Sequence, residues 1–197
     1  EGVEIRIAPD GEVCLRGPSV FRSYFKDPVA TREAFDADGF FMTGDVGFVD
    51  AEGFLHITDR KKDLLVTAGG KNVAPQPVEN ALKATGYISQ AALIGDQRRF
   101  VSALIALDPD EISNWARDKG IKVTDRAALS ADPRVNDFIA SIVAKVNETL
   151  PRYEQIKKFR IIPNEFTIGA GEITPTQKVK RRVVLEHYRK LVDEMYV

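Results

Sequence analysis

The chain has 197 residues, 44% of them hydrophobic and 29% charged, which suits one or two domains with their own cores and excludes disordered, collagenous and disulfide-scaffold classes. With 28 Lys and Arg against 29 Asp and Glu the net charge is -1, so it is not a globally basic nucleic-acid binder, and its longest apolar run, residues 103–107, is far too short to span a membrane as a helix. A lone Cys14 cannot close an internal disulfide and two histidines are too few for a histidine-based metal site, so a reducing, cytoplasmic setting without a metal of its own is expected.

The charge is unevenly spread. Residues 1–59 hold 5 Lys and Arg and 12 Asp and Glu, whereas residues 60–197 hold 23 and 17. A change of sign at Asp59-Arg60 predicts two bodies, with the basic one the candidate for handling phosphates. Glu1, rather than Met, opens a strand-like stretch, as expected of a piece of a longer polypeptide. Val3, Ile5 and Ile7 alternate with polar residues, Pro9-Asp10-Gly11 makes a turn, and Val13 and Leu15 resume the alternation, which predicts a hairpin. Asp27-Pro28 reads as an N-cap followed by proline at the first helical position, opening a short helix to about Phe35. FFMTGDVGFVD, a turn at Ala51-Glu52-Gly53 and FLHITDR give a second hairpin.

Beyond it, residues 64–67 read as a buried strand ending at Gly69-Gly70, and Pro77 as the start of a helix with Val78, Ala81 and Leu82 on its apolar face. Residues 90–95 and 100–107 are expected to pair antiparallel across the short link Asp96 to Arg99. Helices follow near residues 111–119 and 133–149, the second with Val135, Phe138, Ile139, Ile142, Val143 and Val146 on one face, and then a strand at 159–162. Residues 164–177, rich in Gly, Pro and Thr and without apolar period, read as an exposed, mobile loop. A last helix carries Val184, Tyr188, Leu191 and Met195 on one stripe. The class is α+β: a β-rich piece at 1–59, then at 60–197 a small domain with a short, mainly antiparallel sheet and flanking helices.

Four features can carry chemistry. Asp45 in TGD lies on a strand edge between two glycines, where a carboxylate can accept both hydroxyls of a ribose, although an ordinary turn aspartate fits the same spacing. Arg60, Lys61 and Lys62 suit phosphate or sugar, or else a solvated connection. Gly69-Gly70-Lys71 fails as a phosphate loop of the GxxxxGK[ST] type, since that pattern needs glycine where Leu65 stands and Ser or Thr where Asn72 stands. Lys178 follows a Gly/Thr/Pro loop and precedes Lys180, Arg181 and Arg182. A mobile ammonium there suits a phosphate or carboxylate whose charge changes during reaction, the plain alternatives being a solvated helix start or a nucleic-acid patch. Against the last, no aromatic interleaves the cations to stack bases. His56, His187 and Trp115 read as packing or surface residues and Cys14 as core.

Taken in order, GEVCLRGPSVFRSYFKDPVAT, FFMTGDVG, DRKKDLLVTAGGKNVAP and GEITPTQKVKRR resemble the adenylate-forming enzymes, a family of acyl-CoA synthetases, peptide-synthetase adenylation domains and luciferases. The likeness is to the C-terminal part of a long-chain fatty-acid CoA ligase and covers nearly the whole chain. It implies that residues 1–59 end a large N-terminal adenylation domain and that 60–197 form a mobile lid. It implies a two-step reaction, in which a fatty-acid carboxylate attacks the α-phosphate of ATP-Mg to release pyrophosphate, and the CoA thiol then displaces AMP. Matched residue by residue, Asp45 would hold the ribose hydroxyls and Arg60 contact the same sugar. Lys62 would be the hinge, Gly69 and Gly70 would admit the pantetheine arm of CoA, and Lys178 would reach the carboxylate and α-phosphate in the first step only. Where the superfamily commonly has Ser-Gly before that lysine, Thr176-Gln177 stands here, as in the long-chain subgroup. ATP, CoA and fatty acid are the implied ligands, with Mg2+ and the acyl tunnel left to the preceding N-terminal domain and membrane contact made only through the lipid substrate. Lysine instead of aspartate at the hinge favours a CoA ligase over an amino-acid or aryl-acid adenylation domain. A noncatalytic nucleic-acid or protein interaction module is the reading from another class.

Overall fold

A computed structural model describes residues 2–121 and 125–197, so that Glu1, at the head of the first expected strand, lies outside it. The chain divides into two compact units, the first ending at Leu64 and the second beginning at Leu65, a few residues beyond the change of charge sign.

In the first unit, β1 (Glu4–Ile7), β2 (Glu12–Arg16), β3 (Phe41–Val49) and β4 (Leu55–Arg60) form one antiparallel sheet in the order β1-β2-β3-β4. Val13, Cys14 and Phe40 are buried in it. Helix α1 (Pro28–Ala34) starts as its residues require: Asp27 accepts the Ala30 amide hydrogen at 2.9 Å, and proline occupies the first turn, where no amide is needed. At Gly47 the chain runs so close to β4 that a Cβ would lie 2.2 Å from the His56 carbonyl oxygen, and only glycine fits. A single 3-10 turn, Lys61–Asp63, closes the unit.

The second unit opens with the two-residue strands β5 (Leu65–Val66) and β6 (Asn72–Val73), paired antiparallel. Helix α2 (Pro75–Lys83) follows, then β7 (Ile88–Ile94), β8 (Val101–Leu107), α3 (Pro109–Asp118), α4 (Arg126–Ala131), α5 (Pro133–Glu148) and β9 (Ile156–Ile162), with α6 (Arg181–His187) and α7 (Arg189–Glu194) at the end. Strands β7, β8 and β9 make a sheet with β8 in the middle. Alternate residues feed two cores. Ala91, Leu93, Ala103 and Ile105 join the cluster under α2, α3 and α5, while Ala92, Ile94, Leu104 and Ala106 join the cluster under α6 and α7. With both faces covered, β7 and β8 read as nearly continuous apolar runs rather than as alternating strands.

The α+β class stands as read, and the structure corrects several details. The pairing of β8 with β9 is parallel, because α3, α4 and α5 form the crossover that a parallel return requires. Helix α2 begins at Pro75 and not at Pro77; both prolines sit in the first turn, where amide hydrogens have no helical partner, so either could mark the start. Residues 164–177 are not a freely exposed loop, since Phe166, Glu172 and Ile173 are buried and Ile173 bridges to Val179. The final stripe is shared by two helices that meet at Tyr188, whose φ of -104° and ψ of 19° leave the helical region. Helix α4 had no apolar period to announce it.

Candidate functional site

Asp45 lies within β3, where the register against β2 shifts, and β3 is bonded to strands on both sides. Gly44 adopts φ +71°, a left-handed conformation open to glycine at no cost, and its amide donates to Glu12 Oε1 at 2.9 Å. Thr43 Oγ1 donates to the Val13 carbonyl at 2.7 Å and accepts the Asp45 amide hydrogen at 3.0 Å. Across the β3–β4 register, Asp45 faces Arg60. Arg60 Nε meets Asp45 Oδ1 at 2.9 Å and one guanidinium nitrogen donates to the Thr43 carbonyl at 3.1 Å. Both side chains remain partly open to solvent, so the pair forms a polar edge able to accept and donate hydrogen bonds.

The next residue, Lys61, bridges two carboxylates, Asp10 Oδ2 and Glu12 Oε2, each at 2.7 Å. These bonds hold its ammonium above the ordinary lysine range, Asp10 contributing most and Glu12 next, and the same contact lowers the Asp10 carboxyl. Lys62 follows in the middle of the 3-10 turn, exposed.

In the second unit Gly69 and Gly70 form the tip of a turn closed by Gly70 N–H to the Thr67 carbonyl at 2.8 Å and Thr67 N–H to the Lys71 carbonyl at 3.0 Å. The turn is moored to the link between β7 and β8 by Ala68 N–H to the Arg98 carbonyl at 2.9 Å and Gln97 N–H to the Val66 carbonyl at 2.8 Å. At the tip there is open space: a Cβ at Gly70 would meet nothing within 4 Å, and one at Gly69 only the Thr67 hydroxyl at 4.0 Å.

Lys178 sits on a second braced turn. Thr174 N–H donates to the Lys178 carbonyl at 2.8 Å, the Lys178 amide returns to Thr174 Oγ1 at 3.0 Å, and Gln177 supplies a positive φ of 61°. Below the tip, buried Glu172 accepts from the Thr167 amide at 3.0 Å and lies 3.0 Å from His187 Nδ1, while its carbonyl takes the Lys180 amide hydrogen at 2.7 Å. The Lys178 side chain is exposed, and its ammonium has no carboxylate partner among the described residues. A charge on a fixed backbone with a free tip can travel to an anion outside its own fold.

The basic run beyond it is largely committed. Arg181 donates through Nε to the Leu93 carbonyl at 2.9 Å and pairs with buried Glu79, whose carboxylate also takes the Leu93 amide hydrogen at 2.8 Å. Arg182 pairs with Glu186 one turn on. Sequence reasoning missed the roles of Glu12, Glu79, Glu172 and Arg181, because the charged or titratable partners they pair with lie from 15 to 102 residues away and no local spacing announces them. It also left His56 and His187 without partners, whereas Asp50 stands 2.6 Å from the one and Glu172 3.0 Å from the other. Among the described residues no group of three or more His, Cys, Asp or Glu is placed to hold a metal ion. No helix among the described residues is long and apolar enough to cross a membrane.

Comparison with known proteins gives this geometry a context. The model of the AMP-binding enzyme C-terminal domain family matches residues 62–197. The long-chain-fatty-acid–CoA ligase FadD15 of Mycobacterium tuberculosis is 46% identical over 99% of this chain, which covers 32% of that protein. Human long-chain-fatty-acid–CoA ligase ACSBG1 is 40% identical over 94% of the chain and 28% of its own length. Among solved structures, the A domain of carboxylic acid reductase from Segniliparus rugosus, in complex with AMP and a co-purified carboxylic acid, superposes with a TM-score of 0.74 at 24% identity, covering 100% of this chain and 31% of that one. The chain thus spans about a third of the length of the curated relatives it matches.

Proposed function

From a chain that belongs to the AMP-binding enzyme C-terminal domain family, we propose the C-terminal part of an ATP-dependent, AMP-forming long-chain fatty-acid CoA ligase. The observation that carries this reading is 46% identity with a long-chain fatty-acid CoA ligase across 99% of the chain. The local geometry supports it at each matched position. Asp45, with one oxygen on Arg60, keeps accepting capacity for the hydroxyls of a nucleotide ribose, and Arg60 contacts the same sugar. The unpaired Lys178 ammonium reaches the fatty-acid carboxylate and the α-phosphate of ATP in the first half-reaction. There a carboxylate oxygen forms a bond to the α-phosphorus as pyrophosphate leaves. Anions are being forced together in that step, and one well-placed donor stabilises the developing charge by ~3 kcal/mol.

In the second half-reaction the CoA thiol attacks the acyl carbon, AMP leaves, and the thiol proton passes to solvent. The open tip at Gly69-Gly70 supports passage of the narrow pantetheine arm, since no side chain stands there. Lys62 is the pivot whose backbone angles differ between the two half-reactions; a single 3-10 turn, rather than a long helix, surrounds it. The domain assignment, 1–59 as the end of an N-terminal adenylation domain and 60–197 as a lid, is part of the same proposal, as are magnesium binding by the remainder of the polypeptide and a cytoplasmic setting. An RNA-binding module is the weaker reading, because Arg181 is spent on buried Glu79 and no aromatic interleaves the remaining cations to stack bases. In the whole polypeptide, a long-chain fatty acid should stimulate exchange of labelled pyrophosphate into ATP, and CoA should then yield the thioester. Exchange stimulated by an amino acid or aryl acid instead would overturn the substrate class, and no exchange with any acid would overturn the reading.

A further inference from the structure

Glu12 is 5% exposed in a sheet otherwise floored by Val13, Cys14 and Phe40, and an apolar side chain would close that hairpin at lower cost. Its carboxylate instead joins parts of the chain far apart in sequence. Oε1 accepts the Gly44 amide hydrogen at 2.9 Å, and Oε2 meets Lys61 Nζ at 2.7 Å. Lys61 is held from its other side by Asp10 Oδ2 at 2.7 Å, and Asp10 is itself fixed by the Glu12 amide at 3.2 Å. The Gly44 amide lies one residue before Asp45, at a left-handed φ of +71°, so the bond from Glu12 acts on the backbone that leads directly into Asp45.

We propose that Glu12 and Lys61 are positioning residues for nucleotide ribose: the Lys61 ammonium sets the Glu12 carboxylate, which holds the Gly44 amide and so fixes the direction of the Asp45 carboxylate. The inference rests on the reading that Asp45 receives the ribose hydroxyls. It adds that Lys61 serves no anion of its own, since both its carboxylate contacts are internal. The two residues before Lys62 are then bonded to this part of the sheet, Arg60 through Asp45 and Thr43 and Lys61 through Glu12, so any rotation at Lys62 begins from a braced base.

The test measures binding of AMP and of 2′,3′-dideoxy-AMP to the whole polypeptide by titration calorimetry. A site that hydrogen-bonds a hydroxyl rejects the analogue lacking it, so the native protein should prefer AMP by roughly tenfold or more. Lys61→Met should reduce that preference to about twofold or less, with near-ultraviolet circular dichroism unchanged, and Lys61→Arg, which can still bridge two carboxylates, should restore most of it. Asp10→Asn, a near-isosteric change at a half-exposed position, should give an intermediate preference and decides the matter if Lys61→Met does not fold. A native preference retained in Lys61→Met or, should that variant not fold, in Asp10→Asn overturns the positioning role. So does failure of Lys61→Arg to restore it. If the native protein binds both nucleotides alike, the assignment of Asp45 fails instead, which is a separate result.

Discussion

At the scale of single residues the two proposed half-reactions ask for opposite things, and the proposal assigns them to different residues. Lys178 would contribute a charge and Gly69 the lack of a side chain. Lys178→Ala removes one cation from a turn whose backbone bonds to Thr174 do not involve the ammonium, so the fold should be kept. Pyrophosphate exchange in the whole polypeptide should fall by ~3 kcal/mol of barrier, on the order of a hundredfold, while thioester formation from supplied acyl-adenylate is largely retained. Gly69→Leu makes the complementary case. A Cβ at Gly69 meets only the Thr67 hydroxyl at 4.0 Å, so a side chain can start there without a clash and would extend into the space the proposal gives to CoA. It should leave exchange near the native rate and depress thioester formation by more than about tenfold. Equal loss of both steps in either variant would refute the division of labour.

At the scale of elements, the Lys178 turn is as well placed as the helix that follows it. Helix α6 is fastened by Arg181, which spans the Leu93 carbonyl on β7 and the Glu79 carboxylate on α2. Removing one member of a buried pair leaves an uncompensated charge, so Arg181→Ala should cost about 3 kcal/mol of unfolding free energy in denaturant titration. The double variant Glu79→Leu with Arg181→Met should recover much of that loss. If Arg181→Ala unfolds at the native midpoint, the pair does not fasten the helix. This fastening is the kind of feature that sequence does not announce. Elements with period or punctuation were legible: the hairpins around Pro9-Asp10-Gly11 and Ala51-Glu52-Gly53, the Asp27 cap, and the apolar face of α5. Helix α4 was not, being six residues long with Leu129 as its one buried side chain. The stretch 164–177 misled because its glycines and threonines set local texture, whereas Phe166 and Ile173 are drawn into the core under α6 and α7 by partners distant in the chain. Parallel pairing of β9 likewise depends on a crossover rather than on any residue within the strand.

For the whole molecule, the candidate residues were legible as motifs and illegible as geometry: TGD and DRKKD drew attention to Asp45 and Arg60, but only the β3–β4 register shows them paired. The proposed pivot joins two compact units that meet in sequence between Leu64 and Leu65, with Lys62 two residues before that divide. If one lid serves two reactions as proposed, the torsions at Lys62 must differ between steps, and proline tests this directly by fixing φ near -65°. Lys62 occupies the first turn of its short 3-10 segment, where an amide hydrogen has no helical partner, so no ladder bond is lost. Proline also disfavours the helical conformation of the preceding residue, Lys61, and Lys62→Ala is therefore the necessary companion, removing the side chain while leaving both torsions free. In the whole polypeptide Lys62→Ala should run both half-reactions within a fewfold of native, about 1 kcal/mol or less. Lys62→Pro should hold one pose, keeping one half-reaction near native and slowing the other by more than about tenfold. If proline slows both steps equally, strain at Lys61 is the cause, and if it slows neither, Lys62 is not the pivot. Should alanine be as damaging as proline, the ammonium rather than the backbone is what matters at this position.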